Sequence, residues 1–400
     1  MAAEPAVSGG GRPRRTVVIA AALVVVVGLL AVAEGMARLV QVLDSVESPA
    51  LAALLNRDLS LNPYQQASAR FPHHWELRPG WGADVQELLE IKRVHGRMEG
   101  ASVIKAVVAA GYSQPFKINP DGFKGPPLDP DRRLPRVVGI GDSVTFGLGG
   151  WDWLQALAAR LASRGTPVEV VNGGVEGYAL INARFQAPHY LTAHADICVI
   201  MMGWNDLWNE DPLYGTPWAH LKLIPVARRL AHRLGGLVQD SDARTQAEEL
   251  RSRPMVPRRD DPMLARFGRY RPAGLADAEA LGDTLAAGGC KMALATLTGL
   301  YRSDRQPSPG ALAIGHLPAF TDNPYVLAAM ADGLNQGLRE LAKRKGWPLI
   351  DLEAWGREVL EPRDQWFSDS VHMRGKALAE VGFHIADEIA PMLANGSPSR

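Results

Sequence analysis

Three residues of this chain have the types and spacing of a serine nucleophile and its proton-transfer partners. Ser143 closely follows the apolar run 137–140, and Asp369 and His372 lie three residues apart after the last predicted strand, 348–352. A serine that attacks a carbonyl needs a base to take its proton and a carboxylate to orient that base. In parallel α/β sheets, ligands bind beyond the carboxyl ends of the strands, where these residues lie. The sequence therefore predicts acyl transfer, with Ser143 as nucleophile, His372 as base and Asp369 as orienting carboxylate.

Two further strand ends offer hydrogen-bond donors for the same chemistry. The predicted strand 168–171 runs into a glycine-rich turn that ends at Gly177, and the predicted strand 197–202 is followed by Asn205. Acyl transfer passes through a tetrahedral oxyanion, which fixed donors stabilise. The Gly177 N–H and the side-chain amide of Asn205 are the donors that we predict.

The elements that must position these residues alternate between strand and helix. β-Branched and other apolar runs predict buried strands, and apolar stripes at helical spacing predict the helices between them. One helix has clear ends, with Asn323 as its N-cap, Pro324 in its first turn and Gly346 beyond its last. This alternation predicts an α/β fold with a doubly wound, five-stranded parallel sheet. The predicted strands are 137–140, 168–171, 197–202, 292–297 and 348–352.

Other interpretations of the same residues are less complete. The turn at Ser143 is not a phosphate-binding P-loop, because no Gly-Lys-Ser/Thr follows it. It is not a G-x-S-x-G elbow either, because Thr145 stands where the second glycine would be. A capped turn at Ser143, a strand-end turn at Asn205 and a surface histidine at His372 remain open as structural explanations of each residue taken alone.

Four short motifs occur in order along the chain: Gly141-Asp142-Ser143, Asn172 to Gly177, Gly203-Trp204-Asn205-Asp206 and Asp369-Ser370-Val371-His372. Together they resemble the four sequence blocks of the SGNH (GDSL-type) hydrolases. The resemblance implies the flavodoxin-like fold of that family, with Ser143 as nucleophile, His372 as general base and Asp369 as its carboxylate. It also implies an oxyanion hole formed by the N–H groups of Ser143 and Gly177 and by the side chain of Asn205. No metal or other cofactor is expected.

The N-terminus has the pattern of a membrane-targeting segment. A basic cytoplasmic tail, 1–15, is predicted to precede a transmembrane helix, 16–40, whose first eighteen residues carry no charge. A helix of that length reaches roughly 27 Å, close to the thickness of a hydrocarbon core. Basic residues on the amino side predict that the remainder of the chain is exported. We favour an uncleaved anchor, and a signal peptide cleaved after Ala33 is the open alternative.

Residues 41–115 are predicted to form an N-terminal extension or linker, and 116–396 the hydrolase domain. The Pro- and Trp-rich stretch 71–81 predicts irregular structure. Within this region, Leu77-Arg78-Pro79-Gly80 and the turn residues of 118–123 resemble a membrane-anchored bacterial subgroup of the SGNH family.

Composition excludes several classes of function. Lys plus Arg equals Asp plus Glu at 43 each, so no net charge recruits nucleic acid. Two cysteines are too few for a disulfide scaffold or a Cys-based zinc site. We predict that Cys198, within an apolar run, is a small buried side chain that is not bridged to Cys290. The histidines show no spacing typical of metal ligands.

A long insertion, about 207–289, separates the third and fourth predicted strands. Within it, 221–234 combines apolar side chains at helical spacing with Arg228, Arg229 and Arg233. A helix packed on the core with a solvated basic face explains this pattern. A lid or membrane-surface helix over the active-site edge is the alternative.

These features together predict a membrane-anchored serine esterase whose catalytic domain is periplasmic or exposed on the cell surface. The expected substrate is an O-acyl ester, with O-acetyl as one candidate, on an envelope glycan or lipid. One alternative is an O-acyltransferase that passes the same acyl group to a sugar hydroxyl. Another is a non-catalytic scaffold of envelope assembly, which the complete set of nucleophile, base, carboxylate and donors disfavours.

Overall fold

A computed structural model describes residues 15–56, 61–94, 105, 116–148, 150–211, 214–216, 221 and 253–394 of the chain. The N-terminal helix and the body that follows it belong to separate compact units and are described in turn.

The first helix, α1, spans Arg15–Asp44 and is apolar over most of its length. Its segment Val17–Val40 has a mean hydropathy of 2.8 and no buried residues in its most apolar window. The segment is long and apolar enough to cross a membrane, a property that membrane anchors and signal sequences share. The predicted apolar helix is therefore present, and the basic tail before residue 15 lies outside the described residues.

The body contains short antiparallel strand pairs near its start and a parallel sheet at its centre. The strands are β1 (Gln65–Ala67), β2 (Trp75–Leu77), β3 (Gly82–Ala83), β4 (Phe116–Lys117), β5 (Arg136–Gly141), β6 (Glu169–Gly174), β7 (Ile197–Met201), β8 (Lys291–Ala295) and β9 (Leu349–Ile350). The helices after α1 are α2 (Pro49–Leu55), α3 (Val85–Val94), α4 (Ser143–Phe146), α5 (Trp153–Ser163), α6 (Leu180–Phe185), α7 (Ala187–Leu191), α8 (Trp204–Trp208), α9 (Pro262–Phe267), α10 (Gly274–Ala287), α11 (Pro309–Ile314), α12 (Pro324–Lys345), α13 (Leu352–Val359) and α14 (Gly375–Ala394).

The central sheet has five parallel strands in the order β6-β5-β7-β8-β9. Successive side chains of a strand face opposite sides of a sheet, and both sides are buried here. Val137 and Val199 face one apolar core, and Val138 and Ile200 face the other. The predicted doubly wound α/β fold is confirmed.

Local signals for the ends of α12 are also confirmed. The side chain of Asn323 accepts a hydrogen bond from the Tyr325 N–H at 3.2 Å, and Gly346 ends the helix with φ 67°. The last strand, β9, is shorter than predicted because Asp351 already caps the next helix. Its carboxylate accepts from the Ala354 N–H at 3.2 Å, so the chain turns into α13 directly after β9.

The prediction that the cysteines are unbridged is wrong, since Cys198 and Cys290 form a disulfide. Cys198 lies in β7 opposite Met292 of the neighbouring β8, and Cys290 precedes Met292 by two residues. Because side chains two apart on a strand face the same side, register places the two sulfur atoms together. Their Cα atoms are 5.9 Å apart, a normal separation for a bridge. The sequence did not show that these two strands are neighbours in this register.

The segment before the sheet is more regular than its sequence indicates. β1 pairs antiparallel with β2, so the prediction of irregular structure over 71–81 is wrong for Trp75–Leu77. The ring of Tyr64, just before β1, lies 5.0 Å from that of Phe116 and 5.4 Å from that of Phe146. Because Phe146 belongs to α4, this aromatic cluster packs the segment against the turn that carries Ser143.

The described part of the predicted insertion contains ordinary helices. α10 leads directly into β8, and its residues Ala278, Leu281 and Leu285 are buried in the core on one side of the sheet. α9 places Phe267 in the core on the other side. Residues 222–252 lie outside the described residues, and with them nearly all of the basic segment proposed as a lid.

Candidate active site

Three predicted site residues lie at one edge of the sheet, beyond the ends of neighbouring strands. β5, β6 and β7 end in register, and the loops after them carry Ser143, Gly177 and Asn205 respectively. A Cβ atom on Gly174, the last residue of β6, would lie 2.4 Å from the backbone nitrogen of Phe146. Only glycine therefore allows the short helix α4, which begins at Ser143, to pack directly on the end of β6.

The loop before α14 brings the other two predicted side chains to Ser143. Ser143 Oγ lies 2.8 Å from His372 Nε2, and His372 Nδ1 lies 2.8 Å from Asp369 Oδ2. The second oxygen of Asp369 accepts from the backbone N–H groups of Val371 and His372, at 2.9 and 2.8 Å. The carboxylate is thus held by its own loop while it holds the imidazole. The result is a continuous chain from hydroxyl to imidazole to carboxylate.

The charges in this hydrogen-bonded triad of Ser143, His372 and Asp369 favour a histidine that acts as a base. Burial alone lowers the pKa of His372, but the charge and hydrogen bond of Asp369 outweigh burial and raise it above 6.5. Burial works in the opposite direction on Asp369, but the contacts with His372 outweigh it and hold the pKa of Asp369 well below its usual value. An ionised Asp369 accepts a hydrogen bond from the Nδ1–H group, so the neutral imidazole presents Nε2 as the acceptor for the Ser143 hydroxyl.

A hydrogen bond joins the two loops that carry the predicted oxyanion donors Gly177 and Asn205. Asn205 Nδ2 donates to the carbonyl oxygen of Tyr178 at 2.9 Å, and Tyr178 directly follows Gly177. An amide nitrogen carries two hydrogens, so one Asn205 N–H is used by this contact and a second is left for another acceptor. This hydrogen bond ties the segment after β7 to the loop after β6.

The sequence profile of the GDSL-like lipase/acylhydrolase family matches residues 140–377, which is more than half of the chain. The chain belongs to this family. It is therefore an enzyme that acts on ester bonds. The match spans all four motifs, from the nucleophile to the histidine loop, and includes Ser143, Gly177, Asn205, Asp369 and His372. No curated protein sequence matches the chain.

This acylhydrolase is similar to several solved structures. A lipase/acylhydrolase from Enterococcus faecalis is 15% identical, with 67% of this chain and 100% of that chain covered and a TM-score of 0.38. LAE5, an α/β hydrolase from the metagenome of Lake Arreo, Spain, is 16% identical, with 65% and 95% covered and a TM-score of 0.38. A catalytic mutant of Axe2, an acetylxylan esterase from Geobacillus stearothermophilus, is 13% identical, with 65% and 94% covered and a TM-score of 0.39. These likenesses are too low to indicate a substrate.

A second carboxylate in the acylhydrolase motif holds the loops together, a role that the sequence did not indicate. Asp142 is fully buried, and its carboxylate accepts from the backbone N–H groups of Val144 at 3.0 Å, Gly203 at 3.4 Å and Trp204 at 3.3 Å. Burial raises the pKa of Asp142, and these hydrogen bonds oppose that shift. Asp142 thus caps α4 and fixes the turn that leads to Asn205. Its position between glycine and serine in the motif was its only signal.

A buried ion pair supports the other end of α4 in this acylhydrolase. Lys124 Nζ donates to the carbonyl oxygens of Phe146 and Gly150, at 2.6 and 2.9 Å, and lies 2.9 Å from a carboxylate oxygen of Asp152. The side chain of Asn172 donates to the same carboxylate oxygen at 2.8 Å. Such a buried pair is stable only while every partner is present. No signal in the sequence indicated this role of Lys124, because its partners are distant along the chain.

Proposed function

We propose that this acylhydrolase is a membrane-attached, extracytoplasmic serine esterase that removes O-acyl groups, O-acetyl in particular, from an envelope glycan or lipid. The hydrogen-bonded chain of Ser143, His372 and Asp369 is the observation that supports the proposal most directly. Ser143 Oγ and His372 Nε2 are 2.8 Å apart, within reach for proton transfer, and the 2.8 Å contact between His372 Nδ1 and Asp369 Oδ2 orients the imidazole.

The proposed reaction proceeds through an acyl-enzyme. Ser143 Oγ attacks the ester carbonyl carbon while its proton passes to His372 Nε2, and the developing imidazolium is stabilised by Asp369. The tetrahedral intermediate expels the alcohol, which takes the proton from His372. A water molecule then attacks the acyl-enzyme carbonyl carbon and gives its proton to His372. The second tetrahedral intermediate expels Ser143 Oγ, which takes that proton back, and the carboxylic acid leaves. We assign the oxyanion to the N–H groups of Ser143 and Gly177 and to the free amide hydrogen of Asn205.

The location outside the cytoplasm is supported by two independent features. The segment Val17–Val40 has the length and hydropathy of a membrane-crossing helix. The disulfide between Cys198 and Cys290 is of a kind that persists in oxidising compartments and is rare in the cytosol. An envelope-facing enzyme attached to a membrane meets acylated glycans and lipids, and this is why we propose them as the substrate class.

The substrate part of the proposal is tested with the full-length chain in detergent. We expect turnover of p-nitrophenyl acetate and of an O-acetylated oligosaccharide, with rates that fall as the acyl chain lengthens through butyrate to octanoate. Rates that rise with chain length would contradict the O-acetyl assignment. Transfer of the acetyl group to an added sugar, in place of its release as acetate, would identify an acyltransferase.

The location part has its own test in intact cells. The chain has two cysteines, so a thiol-reactive polymer should modify neither of them in rapidly denatured, unreduced cells and both of them after reduction. Modification before reduction would show free thiols and would contradict an oxidising compartment.

Loss of an oxyanion donor should reduce turnover without unfolding the enzyme. For Asn205→Ala we expect kcat to fall about 100- to 1,000-fold, the usual effect of removing one such donor. Steady-state kinetics with p-nitrophenyl acetate measure the change. Asn209→Ala, at the exposed end of the same helix, is the matched control and should keep wild-type kcat. Equal activity of Asn205→Ala and the control would exclude Asn205 from the oxyanion hole.

A further inference from the structure

Glu176 is a partly buried acidic residue in the loop that carries Gly177, and the proposed reaction does not use it. It lies two residues after β6, directly before Gly177, and its charge acts on His372. One oxygen of its carboxyl group accepts hydrogen bonds from Tyr64 Oη and from Asn62 Nδ2, the latter at 3.2 Å. Both donors come from the segment before β1, more than 110 residues away along the chain.

The antiparallel pair of β1 and β2, which follows this segment, holds the backbone of Glu176. Its carbonyl oxygen accepts from Gln65 Nε2 at 3.0 Å and from Trp75 Nε1 at 3.2 Å. This carbonyl belongs to the peptide group that contains the Gly177 N–H. Because a peptide group is planar and trans, its N–H points opposite to its C=O, so fixing the oxygen fixes the direction of the Gly177 N–H. Donors on the oxygen also polarise the N–H and strengthen it as a donor.

The ring of Trp75 fits closely over the oxyanion loop. Gly177 has φ 87°, and a Cβ atom on it would lie 3.1 Å from the Trp75 ring. The hydroxyl of Tyr178 donates to the carbonyl oxygen of Trp75, which ties the next residue of the loop to β2. Trp75 thus contacts the loop through its indole N–H, its ring and its backbone.

We propose that Asn62, Tyr64, Gln65, Trp75 and Glu176 form a clamp that positions the Gly177 N–H for the oxyanion. The proposal rests on the proposed function. It assigns the stretch 62–75, which includes β1 and the start of β2, to the active site as a positioning element. The acceptor atoms of Glu176 carry this role, and its charge does not. Burial raises the pKa of Glu176 to about 7 against the opposing charge of His372, so near neutral pH the group is already part neutral.

The first test removes the two donors to the Glu176 carbonyl in the full-length chain, with Trp75→Phe combined with Gln65→Met. We expect kcat for p-nitrophenyl acetate to fall about 10- to 100-fold with KM unchanged, because the lost alignment matters only in the transition state. We also expect faster hydrogen exchange at the Gly177 amide. Gln66→Ala is the matched control, since Gln66 lies in the same strand but donates to Glu76, and it should keep wild-type kcat.

The second test separates the hydrogen bonds that the Glu176 side chain accepts from the charge that it carries. Glu176→Gln keeps an oxygen acceptor for Tyr64 and Asn62 and should retain most of kcat, whereas Glu176→Ala should lose as much as the double variant. Equal losses of kcat in Glu176→Gln and Glu176→Ala would overturn the clamp. Wild-type kcat and wild-type exchange at the Gly177 amide in the double variant would also overturn it. Neither result would affect the Ser143-dependent turnover of the wild type. A wild-type chain without Ser143-dependent turnover would instead overturn the proposed function, and the catalytic role of the clamp with it.

Discussion

Replacing Ser143 with alanine should reduce turnover of p-nitrophenyl acetate about 10⁴- to 10⁶-fold, the largest effect of any single substitution in this chain. Ser143 Oγ is the nucleophile in the proposed reaction, and alanine leaves no atom that His372 can activate. The residual rate would come from the oxyanion donors and from substrate binding, which the substitution leaves in place. Initial rates with matched enzyme concentrations measure the loss.

The control for this variant is Ser163→Ala. Ser163 is exposed at the end of α5, and its hydroxyl donates only to the carbonyl oxygen of Arg160 among the contacts described. The control should keep wild-type turnover. If Ser143→Ala retained more than about one-tenth of the wild-type rate, a covalent serine mechanism at this position would be ruled out.

Replacing Asp369 with asparagine should have the second-largest effect, about a 10⁴-fold loss in kcat, because the amide no longer holds His372 in the basic tautomer. It should also change the pH dependence. The reaction needs neutral His372, so activity falls as the pH drops through its pKa. Asp369 raises that pKa above 6.5, so the wild-type acid limb should lie above this value. Without the carboxylate the acid limb should move to lower pH.

The pH profile of kcat/KM between pH 5 and 9 measures this shift, within the range where His titrates. The asparagine side chain keeps an oxygen for the backbone N–H groups of Val371 and His372, so the loop is expected to fold as before. Asp364→Asn, in the turn before the loop, should leave both rate and profile unchanged. An acid limb at the wild-type position in Asp369→Asn would show that Asp369 does not set the pKa of His372.

Much of this arrangement follows from short-range patterns in the sequence. The sheet could be predicted because each buried strand is a local apolar run that ends in a turn. The meeting of Ser143 with His372 and Asp369 could be predicted because parallel strands present their carboxyl ends at one edge. Even the limits of α12 were readable, since its N-cap and its terminal glycine act locally.

The parts that could not be predicted depend on contacts between distant residues. The Cys198–Cys290 disulfide follows from the register of two neighbouring strands, and neither cysteine has a local signal for it. Lys124 and Glu176 have ordinary sequence surroundings, and only the folded chain supplies their partners. The strand β2 was not predicted because Pro72 and Pro79 on either side of it indicate irregular structure, and its pairing with β1 is a contact that local sequence does not show.

The most direct test of the central claim is to find which residue forms the covalent adduct. A fluorophosphonate reacts with a serine that a neighbouring base activates, and mass spectrometry of the digested full-length chain locates the label. We expect stoichiometric labelling of Ser143 that is abolished in Ser143→Ala and strongly slowed in His372→Ala. Label on another residue, or an unlabelled Ser143 in folded protein, would contradict a serine mechanism built on Ser143, His372 and Asp369.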